Sequence, residues 1–161
     1  MRVGFGYDVH KIAANREMWI GGIKLDTDFG LQGHSDADVL IHAICDALLG
    51  AACLRDIGYH FPDTDPQYKD TDSKRLLAEV VSLLHKHGYT VGNIDSTVCC
   101  EQPKLNPHIP EMQACLAEIM QVPKDCVSIK ATTTERLGFT GRGEGIAAQA
   151  VASIISITSN Q

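Results

Sequence analysis

The chain has no run of apolar residues approaching the ~20 that a helix needs to cross a bilayer. Its first residues, Met1-Arg2-Val3-Gly4-Phe5-Gly6-Tyr7-Asp8, lack the apolar stretch of a signal peptide. Positive charge is scarce: 14 Lys and Arg against 20 Asp and Glu give a formal net charge of −6. With no basic excess or stripe, a general nucleic-acid binder is excluded. None of the six cysteines, Cys45, Cys53, Cys99, Cys100, Cys115 and Cys126, sits in a C-x-x-C pair, which excludes zinc ribbons and thioredoxin-like sites. There is no G-x-x-x-x-G-K phosphate loop, internal repeat, low-complexity segment or linker. What remains is one domain over residues 1–161, with 44% hydrophobic residues and scattered charges. It is long enough to bury roughly two-thirds of its unfolded surface, and its composition is not that of a disordered chain. The cysteines read as small buried apolar residues in a reducing compartment, so the chain is expected to be soluble and cytoplasmic.

Arg2 to Asp8 alternates and is rich in β-formers, predicting a first strand. Met18-Trp19-Ile20 and Ile23-Lys24-Leu25 flank Gly21-Gly22, a two-residue hairpin signal. Asp38 to Leu49, with capping residues before it and Gly50 behind, predicts a helix. Leu54 to Asp72 reads as a long loop of the kind that carries function. Ser73 to His87 is an amphipathic helix capped by Asp72 or Ser73 and stopped by Gly88. Tyr89 to Gln102 is a strand with an early turn at Gly92-Asn93, and Pro110 to Gln121 a helix with proline in its first turn. Val127 to Ala131 is a short strand, and Thr132 to Glu144 a polar glycine-rich loop. The periodicity of Gly145 to Ile157 separates neither strand from helix; Ile154, Ile155 and Ile157 favour a strand. The sum is one α/β domain.

Asp8 and His10 stand two apart on an extended segment, so they point to one side and can converge on one ion. His42 is the third candidate: it is the only histidine inside the first helix, where it interrupts an otherwise apolar segment. Asp38, His42 and Asp46 recur every four residues and form a polar stripe, predicting that a carboxylate one turn away orients the His42 ring. Two imidazoles and a carboxylate suit Zn²⁺ with its fourth position open, which is the catalytic pattern. The same set suits a 2-His-1-carboxylate iron site, although such sites usually place the carboxylate after the histidine. A lone D-x-H with a helical histidine also arises in chains that bind nothing.

Thr132-Thr133-Thr134-Glu135-Arg136-Leu137-Gly138-Phe139-Thr140-Gly141-Arg142-Gly143-Glu144-Gly145 combines hydroxyls, freed backbone N–H groups and arginine, the needs of a polyphosphate. Glu135 has the wrong charge for phosphate but suits a hard cation such as Mg²⁺ that phosphates also bind. The plain alternative is a glycine-rich turn. Asp56 to Pro66 offers carboxylates to sugar or polyol hydroxyls, or is simply a solvated acidic loop. Cys100 to Asn106, with Pro103 and Lys104, leaves a strand end where ligand-binding turns are common.

Taken together, G-x-G-Y-D-V-H at 4–10, H-S-D-A-D-V at 34–39, D-A-L-L-G-A-A at 46–52, F-P-D-T-D-P at 61–66, P-K-L at 103–105 and K-A-T-T-T-E-R-L-G-F-T-G-R-G-E-G at 130–145 resemble the 2-C-methyl-D-erythritol 2,4-cyclodiphosphate synthase family. The matching stretches run through essentially the whole chain. The resemblance implies a small α/β (α+β) domain, a mixed β-sheet packed against helices plus an N-terminal hairpin, assembling as a homotrimer with active sites between subunits. It implies a metal-dependent cyclase of the non-mevalonate isoprenoid pathway that takes a cytidine diphosphate substrate and releases CMP. By resemblance, Asp8, His10 and His42 hold Zn²⁺ and Glu135 holds Mg²⁺ or Mn²⁺. His34 and Thr133 steady the transition state. His34, Ser35 and Phe61, Pro62, Asp63, Thr64 and Asp65 hold the methylerythritol phosphate, with Asp8 and His10 beside it. Asp56, Ile57 and Gly58 meet the ribose. Cys100, Glu101, Gln102, Pro103, Lys104, Leu105 and Asn106, with Ala131, Thr132, Thr133 and the adjoining Thr134, form the cytosine and CMP pocket. Phe139 and Arg142 stand near an axial cavity that in some relatives accepts an isoprenoid diphosphate; Gln149 stands where some members carry a glutamate. The competing classes are a non-catalytic nucleotide or isoprenoid-diphosphate binding protein and an iron oxygenase, separable by metal analysis.

Overall fold

Glycines at alternate positions of the first strand set the layout. Strand β1 (Arg2–Ala14) turns Gly4 and Gly6 toward helix α1 (Val39–Ala51). A Cβ on Gly4 would lie 2.0 Å from the Ala47 carbonyl oxygen, so helix and strand backbones touch and α1 rides close on the sheet. Asp38 caps α1, its carboxylate accepting from the Ile41 N–H at 3.0 Å. The same carboxylate accepts from Gly21 and Gly22 N–H at 2.9 and 2.7 Å. It thereby pins the turn between β2 (Met18–Ile20) and β3 (Ile23–Leu25) to the helix. Both turn glycines have positive φ, as a primed two-residue hairpin requires.

The computed structural model describes residues 1–62, 64, 65, 68 and 71–157. Its main sheet has the order β4-β1-β7-β5-β6, where β4 is Phe29–Gln32, β5 Tyr89–Cys99, β6 Val127–Thr132 and β7 Gly145–Ser156. Only β5 and β6 pair in parallel, so the sheet is mixed, as expected. Helix α3 (Ser73–Lys86) packs against both α1 and β5, and α4 (Ile109–Met120) packs on β6 and α3. Helix α1 is consequently enclosed: Leu40, Ile41, Ile44, Leu48 and Leu49 are fully buried. Truncating one such leucine to alanine costs about 2–5 kcal/mol. The helices cover one face of the sheet. The other carries Val3, Phe5, Tyr7 and Val9 of β1 and Val151 and Ile155 of β7, all exposed, with Phe5 and Val151 directly paired.

Several expected boundaries move. Strand β1 runs on to Ala14 because its second half pairs with β4, a four-residue strand too short to show a period. The stretch 54–72 holds a one-turn helix α2 (Ile57–His60), capped by Asp56. The 132–144 loop holds α5 (Gly138–Gly141). The expected turn at Gly92-Asn93 is a bulge, where the Asn93 N–H donates to the Ser153 hydroxyl at 3.0 Å, and β5 ends at Cys99 instead of Gln102. Asp72 is the cap of α3, accepting from the Lys74 N–H. Gly145 onward is a strand. Of the cysteines, Cys45 and Cys100 are buried as expected, whereas Cys53 is exposed.

Candidate metal centre

The strand advances about 6.7 Å per two residues and α1 about 6 Å per four, so the two run in step. Gly4 lies against Ala47 and Ala51, Gly6 against Ala43 and Ala47, and one step further Asp8 lies against His42. Its Oδ2 is 3.1 Å from His42 Nδ1 and 3.0 Å from His10 Nε2, and the two ring nitrogens are 3.0 Å apart. These three atoms form a nearly equilateral triangle. Its edges approach the ~3.3 Å expected between ligands of a tetrahedral ion with bonds near 2.0 Å.

The hydrogen bonds behind each ring decide which nitrogen is free. His10 Nδ1 lies 3.0 Å from the Gln32 carbonyl oxygen, which can only accept, so Nδ1 carries the proton and Nε2 is left with a lone pair. His42 Nε2 lies 2.9 Å from Ser73 Oγ and 3.2 Å from Ser35 Oγ. Burial would push the Asp8 carboxyl up, but when both rings are protonated and no ion lies between them and Asp8, hydrogen bonds from His10 and His42, with their charge, hold it well below the usual carboxylate range. Burial would likewise push the His42 imidazole down; Asp8, by hydrogen bond and charge, raises it instead. A negative Asp8 between two imidazoles is the electrostatic condition for a cation. Among the described residues this is the one group of three or more His, Cys, Asp or Glu side chains whose ligand atoms converge within 4.8 Å.

The expected role of Asp38 and Asp46 is overturned. Asp38 is spent on the α1 cap and the hairpin turn, and Asp46 accepts from the Ile57 N–H at 2.8 Å at the start of α2. Neither touches His42. The residues that do are Ser73, expected only as a helix cap, and Ser35. No periodic pattern points to Ser73, because it reaches His42 across 31 positions of chain.

The triad opens onto a cleft of about 300 Å³ lined also by His34, Ser35, Ile57, Gly58, Phe61 and Tyr68. Phe61 is buried and meets Tyr68 edge-on at 5.3 Å. Ala37, with φ +58°, turns the 34–37 segment back so that exposed His34 and half-buried Ser35 face the cleft. Asp56, which caps α2 by accepting from the Tyr59 N–H at 2.9 Å, directly precedes the cleft-lining Ile57 and Gly58. Pro62, Thr64 and Asp65 continue from Phe61, the Asp65 N–H donating to the Pro62 carbonyl at 2.9 Å; Asp63 lies outside the described residues.

The threonine loop is a second, separate place. The level of Asp8 in the sheet passes through Ala148 and Val98 to Ala131, three strand spacings or roughly 14 Å away. There the Cys100 N–H donates to the Thr132 carbonyl at 2.9 Å, joining the 100–106 turn to the loop. The Glu101 carboxylate accepts from Thr134 and Arg136 N–H at 2.9 and 3.3 Å. It braces the loop. Glu135 and Arg136 both have positive φ, and Gly141 fits behind them because a Cβ there would lie 2.2 Å from Arg136. The exposed Glu135 carboxylate accepts from the Thr133 hydroxyl at 3.2 Å. Lys104 Nζ donates to the Glu101 carbonyl at 3.2 Å, and Leu105 is buried in the core. Arg142 is engaged by both oxygens of Glu144 at 2.8 and 3.1 Å, beside another hollow of about 470 Å³.

A mixed sheet with enclosed α1 and a two-histidine, one-carboxylate group define a small α+β protein whose cleft is lined by residues able to hold a metal ion. The chain belongs to the YgbB family, whose model matches residues 1–155. It is 64% identical over 155 residues to the 2-C-methyl-D-erythritol 2,4-cyclodiphosphate synthase of Porphyromonas gingivalis, covering 96% of both chains. Its fold superposes on a CDP-bound 2C-methyl-D-erythritol-2,4-cyclodiphosphate synthase with a TM-score of 0.88 at 32% identity, covering 96% of this chain and all of that one. It also superposes on the bifunctional IspDF of Campylobacter jejuni, with a TM-score of 0.93 at 38% identity. That match covers 98% of this chain but only 43% of the Campylobacter chain.

Proposed function

We propose that the protein, as a single domain over residues 1–161, is a metal-dependent cyclase acting on 4-diphosphocytidyl-2-C-methyl-D-erythritol 2-phosphate in the non-mevalonate isoprenoid pathway. An oxygen of the 2-phosphate attacks the β-phosphorus of the diphosphate. A new P–O–P bridge closes, the bond from the β-phosphorus to the bridging oxygen breaks, and CMP leaves with that oxygen. The observation that carries this reading is the convergence of Asp8, His10 and His42 at 3.0–3.1 Å in a cleft shared with His34 and Ser35, in a chain of this family. A phosphate oxyanion is already a nucleophile, so the residues need only position and neutralise.

Zn²⁺ fits Asp8, His10 and His42, and Mg²⁺ or Mn²⁺ fits Glu135 together with the substrate's own phosphates; such ions supply positive charge and Lewis-acid polarisation at phosphoryl oxygens. His34 and Ser35, with Phe61, Pro62, Asp63, Thr64 and Asp65, hold the methylerythritol phosphate. Asp56, Ile57 and Gly58 hold the ribose. Cys100 to Asn106 with Ala131 to Thr133 hold cytosine and the departing phosphate, Lys104 adding positive charge. Thr133 and His34 donate to oxygens that gain charge as the bridge closes.

The two half-sites are about three strand spacings apart within one chain, which favours a site completed by a neighbouring subunit. The uncovered face with Phe5, Tyr7, Val9 and Val151 is apolar enough to seek burial against copies of the chain, and we take the assembly to be a homotrimer. Phe139 and Arg142 would then approach the axis. Because Glu144 already engages Arg142, an isoprenoid diphosphate there would have to compete with that carboxylate. No helix of the described residues is long and apolar enough to cross a membrane. Six unpaired cysteines favour a reducing cytoplasm.

The test is incubation with the cytidine diphosphate substrate and Mg²⁺, followed by ³¹P NMR. Paired signals of a cyclic diphosphate with stoichiometric CMP are expected. Unchanged substrate alongside intact zinc binding would leave a binding protein in place of an enzyme. Iron instead of zinc in the purified protein would point to an oxygenase.

A further inference from the structure

The geometry points to Ser73 and Asp36 as positioning residues that fix the tautomer of His42 and so make its Nδ1 the metal-ligating atom. The inference rests on reading Asp8, His10 and His42 as a zinc site. Ser73 is fully buried at the first position of α3, and its hydroxyl donates to one oxygen of Asp36 in a short hydrogen bond. The other Asp36 oxygen accepts from the Ser73 N–H at 2.9 Å. A hydroxyl has one proton, and here the carboxylate takes it. The Ser73 oxygen can then only accept from His42 Nε2, 2.9 Å away. The imidazole must donate at Nε2, which leaves the Nδ1 lone pair facing Asp8 Oδ2 and His10 Nε2.

Ser35 alone could not impose this. Its hydroxyl stands farther off, at 3.2 Å, and belongs to the half-buried 34–37 turn, where it accepts from the Ala37 N–H at 3.1 Å. Asp36 is itself held: the Asp38 N–H donates to it at 3.1 Å, and its own N–H donates to the Thr71 carbonyl at 3.3 Å. The relay therefore joins the segment before α1 to the start of α3, and the ring between them is locked from behind. Partners of this kind usually account for 10- to 100-fold in metal affinity.

The experiment uses the zinc-loaded protein labelled with ¹⁵N-histidine, together with chelator competition for zinc on wild type, Ser73→Ala and Ser73→Thr. In wild type, His42 should show a metal-bound Nδ1 and an Nε2–H protected from exchange with solvent. Ser73→Ala should lose that protection and bind zinc about 10- to 100-fold more weakly, and Ser73→Thr, which keeps the hydroxyl, should recover most of the loss. Thermal melting of both variants separates this from a change in fold stability. Coordination of wild-type His42 through Nε2 overturns the inference without any variant, as does a folded Ser73→Ala with wild-type zinc affinity. A wild-type protein that binds no zinc overturns the metal reading and this inference together, which distinguishes that failure from the other two.

Discussion

Gly6 and Ala43 are in backbone contact: a Cβ on Gly6 would fall 1.9 Å from the Ala43 carbonyl oxygen and 2.7 Å from the Ala47 nitrogen. No side-chain rearrangement relieves such an overlap, because both atoms belong to the helix backbone. Gly6→Ala must lift α1 off β1, and one step along the same face it must pull His42 from Asp8. Overpacking of this kind costs about 1–3 kcal/mol or more. The expected result is a lower melting temperature together with zinc affinity reduced at least tenfold. A variant with unchanged zinc affinity would show that the close approach is not what brings the ligands together.

His42→Ala removes a proposed ligand that is itself buried. It leaves Asp8 with His10 alone, and two ligands do not hold zinc against dilution. Loss of the several kcal/mol of charge stabilisation that a bound metal provides should lower turnover on the order of 10³-fold. The far-ultraviolet circular dichroism should be retained, since the helix is held by its apolar neighbours. Metal analysis and steady-state rates check this; zinc retained at one equivalent per chain would remove His42 from the site.

What could be read in the sequence was local and periodic. Asp8 and His10 share a face because strands repeat every two residues, and His42 is visible as the polar break in an apolar helix. Both remain true in three dimensions. The assignment of Asp38 and Asp46 to His42 failed because the same periodicity says nothing about competing partners: the hairpin turn and α2 claim those carboxylates. Ser73 and Asp36 were hidden because their bond spans 37 residues. The Glu101 brace closes a comparable distance, 33 residues to Thr134. Strand β4 was hidden because four residues with a glycine carry no alternation, and it exists only as the partner of the second half of β1. The separation of the two half-sites follows from strand order, which no local pattern encodes.

The buried thiols make stability fall with alkaline pH. Burial raises Cys45 well above its ordinary range and pushes Cys100 up to about 12. For an acid whose folded value is raised, the unfolded chain loses its proton first, so stability is complete below the unfolded value and falls as pH rises above it. With unfolded thiols near pH 8.5–9, each thiol kept protonated by the fold should cost about 1.5–2 kcal/mol by pH 10. Urea midpoints between pH 7.5 and 10 measure it. Cys45→Ala should flatten the curve relative to wild type, and an identical slope would mean that Cys45 is not protected. In the native protein at neutral pH, alkylating reagents should label exposed Cys53 and spare Cys45 and Cys100.

Glu135 offers the sharpest separation of the two proposed ion sites. Its carboxylate is exposed on the threonine loop, engaged by Thr133 at 3.2 Å, and the sheet register puts that loop three strands from Asp8. Glu135→Gln keeps the shape and the acceptor oxygen for Thr133 but removes the charge that a hard cation requires. Zinc content should therefore stay at the wild-type level, while the Mg²⁺ concentration for half-maximal turnover rises by about tenfold or more, the scale of 1.4 kcal/mol of lost attraction. If the Mg²⁺ titration is unchanged, the second cation is not held by Glu135. If zinc is lost as well, the two ions are not independent, and the half-sites must meet more closely than strand spacing within one chain allows.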